Sequence, residues 1–207
     1  MDRKAIMRRR LTVLGALVAT AALPSSAYPD SAVATFAGGC FWSTEAVFDR
    51  LPGVIEAVSG YTGGSDPSPT YEAVAGGRTG HREAVQVRYD PAKVDFMQLL
   101  VAFWHSIDPL DRRGQFCDYG SSYTTAIYVH TPEQRQLAEE SKAVLEQLKF
   151  HRPLATEILP ASRFHPAEAE HQDFARRAPA QYARYLAACG REPLLARIWN
   201  VAVPRGR

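Results

Sequence analysis

Ala32-Val33-Ala34-Thr35-Phe36, then Gly38-Gly39-Cys40-Phe41-Trp42, then Ser43-Thr44-Glu45-Ala46-Val47-Phe48-Asp49-Arg50-Leu51 is the stretch that decides how this chain folds. The first run is short and apolar and reads as a strand. The last reads as a helix, which Pro52-Gly53 ends. Cys40 therefore stands between a strand end and a helix start, where unpaired backbone N–H groups and the helix dipole favour an anion. The thiolate is the reactive form of cysteine, so this position predicts a lowered thiol pKa and a nucleophile. The two glycines permit a tight turn and close approach of another molecule, and Phe41-Trp42 place an apolar wall beside the sulfur. Position alone leaves a second reading open, that of a buried, inert cysteine.

Around this junction lie 207 residues, enough for a single domain with a full-sized core, of ordinary apolar content and mixed charge. The formal charge of +2 is unevenly spread. Arg3, Lys4, Arg8, Arg9 and Arg10 against Asp2 put +4 in the first ten residues and leave −2 for the rest. No basic face with interleaved aromatics argues for nucleic acid. The positive start is followed by the apolar run Leu11–Leu23 and the small residues Ser25-Ser26-Ala27, the layout of a secretory signal. That apolar run is short for a membrane span. Residues 1–27 thus read as an export signal, with Arg9-Arg10-Leu11 hinting at the twin-arginine type. Residues 28–207 read as the mature domain, exported to the periplasm and not inserted in the membrane once the signal is cleaved. The cysteines, Cys40, Cys117 and Cys189, are widely spaced, which offers neither a zinc ribbon nor a Cys-x-x-Cys redox motif. An odd count in an exported protein points to at least one free or cycling thiol.

Further strands are predicted at 54–59, 84–89, 124–130 and 155–159, with helices from Asp95 to about Ser106 and from Thr131 to about Phe150. Residues 60–80 and 108–120 read as loops, and the chain beyond Pro166 as short helices broken near Pro179 and Gly190. Strands and helices alternate, but several strands carry a period of two. A single α/β domain with a mixed or antiparallel sheet follows. Two loops deliver polar groups to strand starts: Gly80-His81-Arg82-Glu83 and Gln115-Phe116-Cys117-Asp118-Tyr119-Gly120-Ser121-Ser122-Tyr123. A reactive cysteine needs a proton donor for the group it reduces or expels, and Glu83 is a candidate.

Taken together, these runs resemble one family. The Gly38–Trp42 run, Tyr-Thr-Gly-Gly at 61–64, Pro-Thr-Tyr-Glu at 69–72 and Gly-His-x-Glu at 80–83 carry the resemblance. So do Tyr-Asp-Pro at 89–91, Cys-Asp-x-Gly-x-Ser-Tyr at 117–123, Phe-His-Pro-Ala-Glu at 164–168 and His-Gln at 171–172. In unbroken order from Val33 to Trp199, the chain resembles the peptide methionine sulfoxide reductases of the A type, which act on the S epimer. The resemblance implies a two-layer α/β sandwich with a largely antiparallel mixed sheet and peripheral helices. It implies that Cys40 attacks the sulfoxide sulfur, that Phe41 and Trp42 hold the S-methyl group, and that Glu83 protonates the oxygen. Tyr71 and Tyr123 hydrogen-bond that oxygen, and Asp118 shares the pocket. Methionine leaves, a sulfenic acid remains on Cys40, a second thiol condenses with it, and an external thioredoxin-like dithiol resets the enzyme. No metal or organic cofactor is implied. The substrate is methionine sulfoxide, free or in proteins, and a monomer is expected.

The chain departs from the commonest family pattern in having Cys117 for Asn, Ser122 for Gln and Thr124 for Arg, and a single tail cysteine, Cys189. Cys189, in a tail segment of about 178–207, is the favoured resolving thiol, with Cys117 as its competitor. His165 and His171 are six residues apart and match no helical metal spacing. His81 reads as a polar positioning residue at the pocket rim, and Glu45 as a structural partner near the helix start. An acyl hydrolase or transferase, a thiol peroxidase and a non-catalytic binder of oxidised Met-rich proteins are the alternatives, and each leaves Glu83, Tyr71 and Tyr123 unexplained.

Overall fold

The computed structural model describes residues 31–200; the expected export signal at 1–27 lies outside them. Its framework is a six-stranded sheet in the order β7-β6-β1-β3-β2-β8. The strands are β1 (Ala32–Ala37), β2 (Val54–Thr62), β3 (Arg82–Tyr89), β6 (Ala126–Val129), β7 (Glu157–Pro160) and β8 (His165–Pro166). A separate two-residue hairpin joins β4 (Gly114–Gln115) to β5 (Asp118–Tyr119). Pairings in the large sheet are antiparallel except for β6 with β7, so the sheet is mixed and largely antiparallel, as expected. The parallel pair is joined by α4 (Pro132–Val144), the crossover that such a pair requires.

The period of two sorts each strand between two faces. Ala34 and Phe36 of β1, Val85 and Val87 of β3, and Ile127 and Val129 of β6 enter the main core. Their alternates Ala37, Ala84, Ala126 and Tyr128 form a smaller cluster on the other face. α1 (Phe41–Phe48), α3 (Phe96–His105) and α4 cover the main face, giving the two layers. There the Phe36 ring lies 4.8 Å from Phe48 and 5.0 Å from Phe103. Asp95 caps α3 through a reciprocal box with Gln98, and Thr131 caps α4 ahead of Pro132. The last turns of α4 widen over Leu145–Phe150 before the left-handed His151 ends them.

Several boundaries differ from the expected ones. β2 runs on to Thr62, and α2 (Tyr71–Ala75), capped by Thr70, interrupts the expected loop at 60–80. α1 begins directly after Cys40 rather than at Ser43. Beyond β8 the chain forms α5 (Phe174–Arg177), α6 (Pro179–Cys189) and α7 (Arg191–Trp199). Trp199 Nε1 donates to Ile107 O at 3.1 Å, which docks the tail on the end of α3. Among the described residues no helix is long and apolar enough to cross a membrane.

Candidate active site

Cys40 is the N-cap of α1, and its carbonyl accepts from Ser43 N and Thr44 N at 3.2 and 3.4 Å. Gly39 before it has φ +83°, and a Cβ there would lie 2.5 Å from Cβ of the buried Gln115, so only glycine fits this turn. The next helical N–H, that of Phe41, donates to Glu83 Oε2 at 2.9 Å. Glu83 lies on the same face of β3 as Val85 and Val87, and this register aims its carboxyl at the start of α1.

That contact overturns one expectation. Cys40 is 6% exposed, and its thiol pKa is pushed well up, not down. Burial is the chief cause, with the Glu83 and Asp118 carboxyls adding to it and the Tyr185 hydroxyl opposing. Of the first helical N–H groups, that of Phe41 serves Glu83, and that of Trp42, which favours the thiolate, is outweighed. Glu83 is itself 1% exposed, and burial pushes its pKa up to about 8, against the opposing hydrogen bonds of Phe41 N and Tyr123. Its Oε1 has no hydrogen-bond partner among the described residues. Burial therefore favours the neutral form of Glu83, with Oε2 accepting from Phe41 N and Oε1 unpartnered.

Tyr71 and Tyr123 face the same carboxyl. Burial, then the charge of Glu83, pushes Tyr71 up to about 12 and Tyr123 higher, so both remain hydroxyl donors. Asp118, on β5, accepts from Tyr185 Oη at 2.6 Å, and burial raises its pKa. The structure thus brings Cys40, Glu83, Tyr71, Tyr123 and Asp118 together in one place. Phe41 is closed in by Tyr61, Tyr71 and His171 at 5.9, 6.3 and 5.4 Å between rings. Trp42 stacks flat on Phe174 at 3.8 Å and meets the edge of Tyr185 at 5.9 Å.

Glu168, His171, Phe174 and Tyr185 were not picked out as site residues from the sequence. Glu168 accepts from Tyr61 Oη at 2.6 Å and from Tyr71 N at 2.9 Å, fixing the tyrosine that opens α2. The His171 ring lies 4.2 Å from that of Tyr71. The runs Phe164–Glu168 and His171-Gln172 were the available signals for the first two; nothing in the sequence marked Phe174 or Tyr185. His81, by contrast, is not a rim residue. It is buried, with Nδ1 accepting from Gly64 N at 3.2 Å and Nε2 2.9 Å from Asp66 O, so both ring nitrogens brace the loop at 64–66. Glu45 is also buried, its pKa raised to about 7 chiefly by burial, with the Asp49 and Asp173 charges adding to it and the Asp173 backbone N–H and the Ser59 hydroxyl opposing.

Cys117 and Cys189, the two candidates for resolving thiol, are joined to each other across 72 residues, with Cα atoms 4.9 Å apart, while Cys40 is free. Sulfur of both and the Asp118 carboxylate lie within 4.8 Å of one another, but in the disulfide state neither sulfur is a free donor for a metal.

Comparison with known proteins settles the family. Residues 32–202 match the sequence family described as peptide methionine sulfoxide reductase. The chain belongs to that family. It is 50% identical over 169 residues to the peptide methionine sulfoxide reductase MsrA of Bacillus licheniformis, covering 81% of this chain and 93% of the relative. The MsrA of Listeria innocua is 47% identical over 168 residues, covering 81% and 95%. Among solved structures, methionine sulfoxide reductase A of Corynebacterium diphtheriae superposes with a TM-score of 0.66 at 34% identity, over 73% of this chain and 76% of that one. Reduced Mxr1 from Saccharomyces cerevisiae gives 0.69 at 27% identity, over 75% and 90%.

Proposed function

We propose that Cys40 is the nucleophile and Glu83 the acid in the reduction of methionine S-sulfoxide to methionine. The chain is a peptide-methionine (S)-S-oxide reductase, and its reaction is thiol-dependent. One observation supports the roles best: the buried Glu83 carboxyl holds the start of α1 through Oε2 and keeps Oε1 unpartnered among the described residues, and that burial favours its neutral form. In the reading that follows, the sulfoxide oxygen lies between Oε1 and the hydroxyls of Tyr71 and Tyr123, and Phe41 and Trp42 pack on the S-methyl group. As Cys40 sulfur bonds to the sulfoxide sulfur, charge develops on oxygen and Glu83 protonates it. The S–O bond then breaks, methionine leaves, and Cys40 carries a sulfenic acid. Each turnover draws two electrons from thiols, and no prosthetic group enters the cycle.

Cys117 and Cys189 act as a pair in the recycling half. One condenses with the sulfenic acid, losing water, and the other attacks the resulting disulfide. This leaves Cys40 reduced and Cys117 joined to Cys189, the arrangement seen here. Cys117 is exposed whereas Cys40 is buried, which suits attack on the pair by a thioredoxin-like dithiol protein. The charged and apolar layout of residues 1–27 supports export and work in the periplasm.

The test is single-turnover reduction of a small S-sulfoxide by the wild type and by Cys40→Ser, Cys117→Ala and Cys189→Ala, without added reductant. Methionine forms in all but Cys40→Ser. Absence of methionine from the fully reduced wild type contradicts the assignment of Cys40 and Glu83, and catalytic consumption of hydrogen peroxide in place of sulfoxide favours the peroxidase reading.

A further inference from the structure

Arg191 begins α7 two residues after Cys189. The left-handed Gly190 between them, at φ +60°, turns the chain so that the side chain folds inward. The residue is 4% exposed. Nη2 donates to Ser106 O at 2.6 Å, and Cζ lies 4.4 Å from the ring centroid of Phe116, the neighbour of Cys117. Nη1 has no hydrogen-bond partner, and no ion pair engages the group among the described residues. A guanidinium out of water with an unsatisfied N–H is costly unless an anion forms beside it. The titratable groups that feel its charge are Asp118 on β5, Tyr182 and Tyr185 on α6, and Cys40 at the start of α1.

We propose that Arg191 is a positioning residue for thiol–disulfide exchange: its stack on Phe116 keeps the Cys189 turn beside Cys117, and its charge stabilises the thiolates that attack and depart. This rests on the paired-cysteine cycle above. In the exchange step, the free thiolate of the pair attacks its partner's sulfur in the disulfide with Cys40. The Cys117–Cys189 bond forms, and Cys40 leaves with the electron pair of the broken bond and takes up a proton. The sulfoxide has already supplied the oxidising equivalents. A buried cation serves both ends of this step, because it makes the attacking thiolate available and eases departure of Cys40, whose surroundings otherwise disfavour charge.

The experiment follows a single turnover of reduced wild type, Arg191→Met and Arg191→Lys by quenched-flow disulfide mapping, from about pH 6 to about pH 9. Because Cys40 also feels this charge, methionine release is expected to slow in Arg191→Met as well, but by less than the exchange step, and to recover in Arg191→Lys. Formation of the Cys117–Cys189 bond is expected to slow about tenfold near neutral pH in Arg191→Met, the loss from a one-unit rise in thiol pKa. That deficit shrinks as pH rises, and Lys restores the wild-type pH midpoint. No deficit, or one that is equal at every pH and unrescued by Lys, overturns the proposal. Should Arg191→Met not fold, a wild-type midpoint in Arg191→Lys supports it and a midpoint about one unit higher overturns it. A wild type that never forms the Cys117–Cys189 bond brings down the paired-cysteine cycle itself, and does so before any Arg191 variant is compared.

Discussion

Cys40 sits at the start of α1 and Cys189 at the end of α6; both are nearly buried, yet the structure holds them by different means. The region around Cys40 is built by the sheet. β1 delivers the thiol, β3 delivers Glu83 from the adjacent strand, and a backbone N–H ties the two together. The region around Cys189 is tail: short helices laid across the sheet-borne site, held by a disulfide, by Phe174 on Trp42, by Tyr185 on Asp118 and by Arg191 on Ser106. The chemical step needs groups that do not move, and strand register supplies them. The recycling step needs a thiol that changes partner, and contacts between side chains permit that.

The comparison is broken or sharpened first by changes on the sheet side. Cys40→Ser is expected to abolish methionine formation while leaving the Cys117–Cys189 bond intact, as read by chromatography and intact mass. Glu83→Gln is expected to slow the chemical step by about 10²–10⁴-fold, the usual contribution of a positioned acid. In its proposed role as the acid, with burial pushing its pKa up to about 8, Glu83 makes the wild-type chemical step decline as pH rises through that value, and the Gln variant is expected to lack the decline. Stability carries the opposite signature. Between the ordinary 4.5 and about 8 only the unfolded chain ionises this carboxyl, so the fold loses stability as pH rises across that window. Denaturant titrations at several pH values should find Glu83→Gln more stable than wild type near pH 7, by ~1–3 kcal/mol, and equal to it near pH 4.

On the tail side, Cys189→Ser leaves the first methionine unaffected and stops later turnovers at the stage of exchange. In the absence of reductant it lowers stability by about 4 kcal/mol, the loop-closure value for a crosslink of this span. Tyr185→Phe has the smallest effect. Loss of its bond to Asp118 costs the oxidised protein ~1 kcal/mol in denaturant unfolding, and loss of the hydroxyl that opposes the rise in the Cys40 thiol pKa slows single-turnover methionine formation modestly without lowering its final yield.

The sheet half of this division was legible in the sequence; of the tail, the short helices broken near Pro179 and Gly190 were legible, and the contacts that dock them on the site were not. The strand–glycine–cysteine–helix junction and the alternation at 84–89 placed β1, α1 and β3 closely, because period and turn chemistry are local. α2, of five residues, and the two-residue strands β4 and β5 are too short for periodicity to reveal. Cysteine spacing carries no information about pairing, so Cys117 and Cys189 read as rivals when they are partners. The pKa of Cys40 failed for a different reason: the helix N-terminus is present, but burial and a carboxyl already bonded to Phe41 N outweigh it. Tyr185 and Arg191 act through contacts with residues 67 and 85 positions away, which no local pattern encodes.

The most direct test of the division is disulfide mapping after one turnover of the fully reduced wild type on an S-sulfoxide, with no reductant present. The account predicts one methionine per chain, a free Cys40 thiol and a bond between Cys117 and Cys189. A final state in which Cys40 remains disulfide-bonded to either partner, or remains a sulfenic acid beside two free thiols, contradicts it.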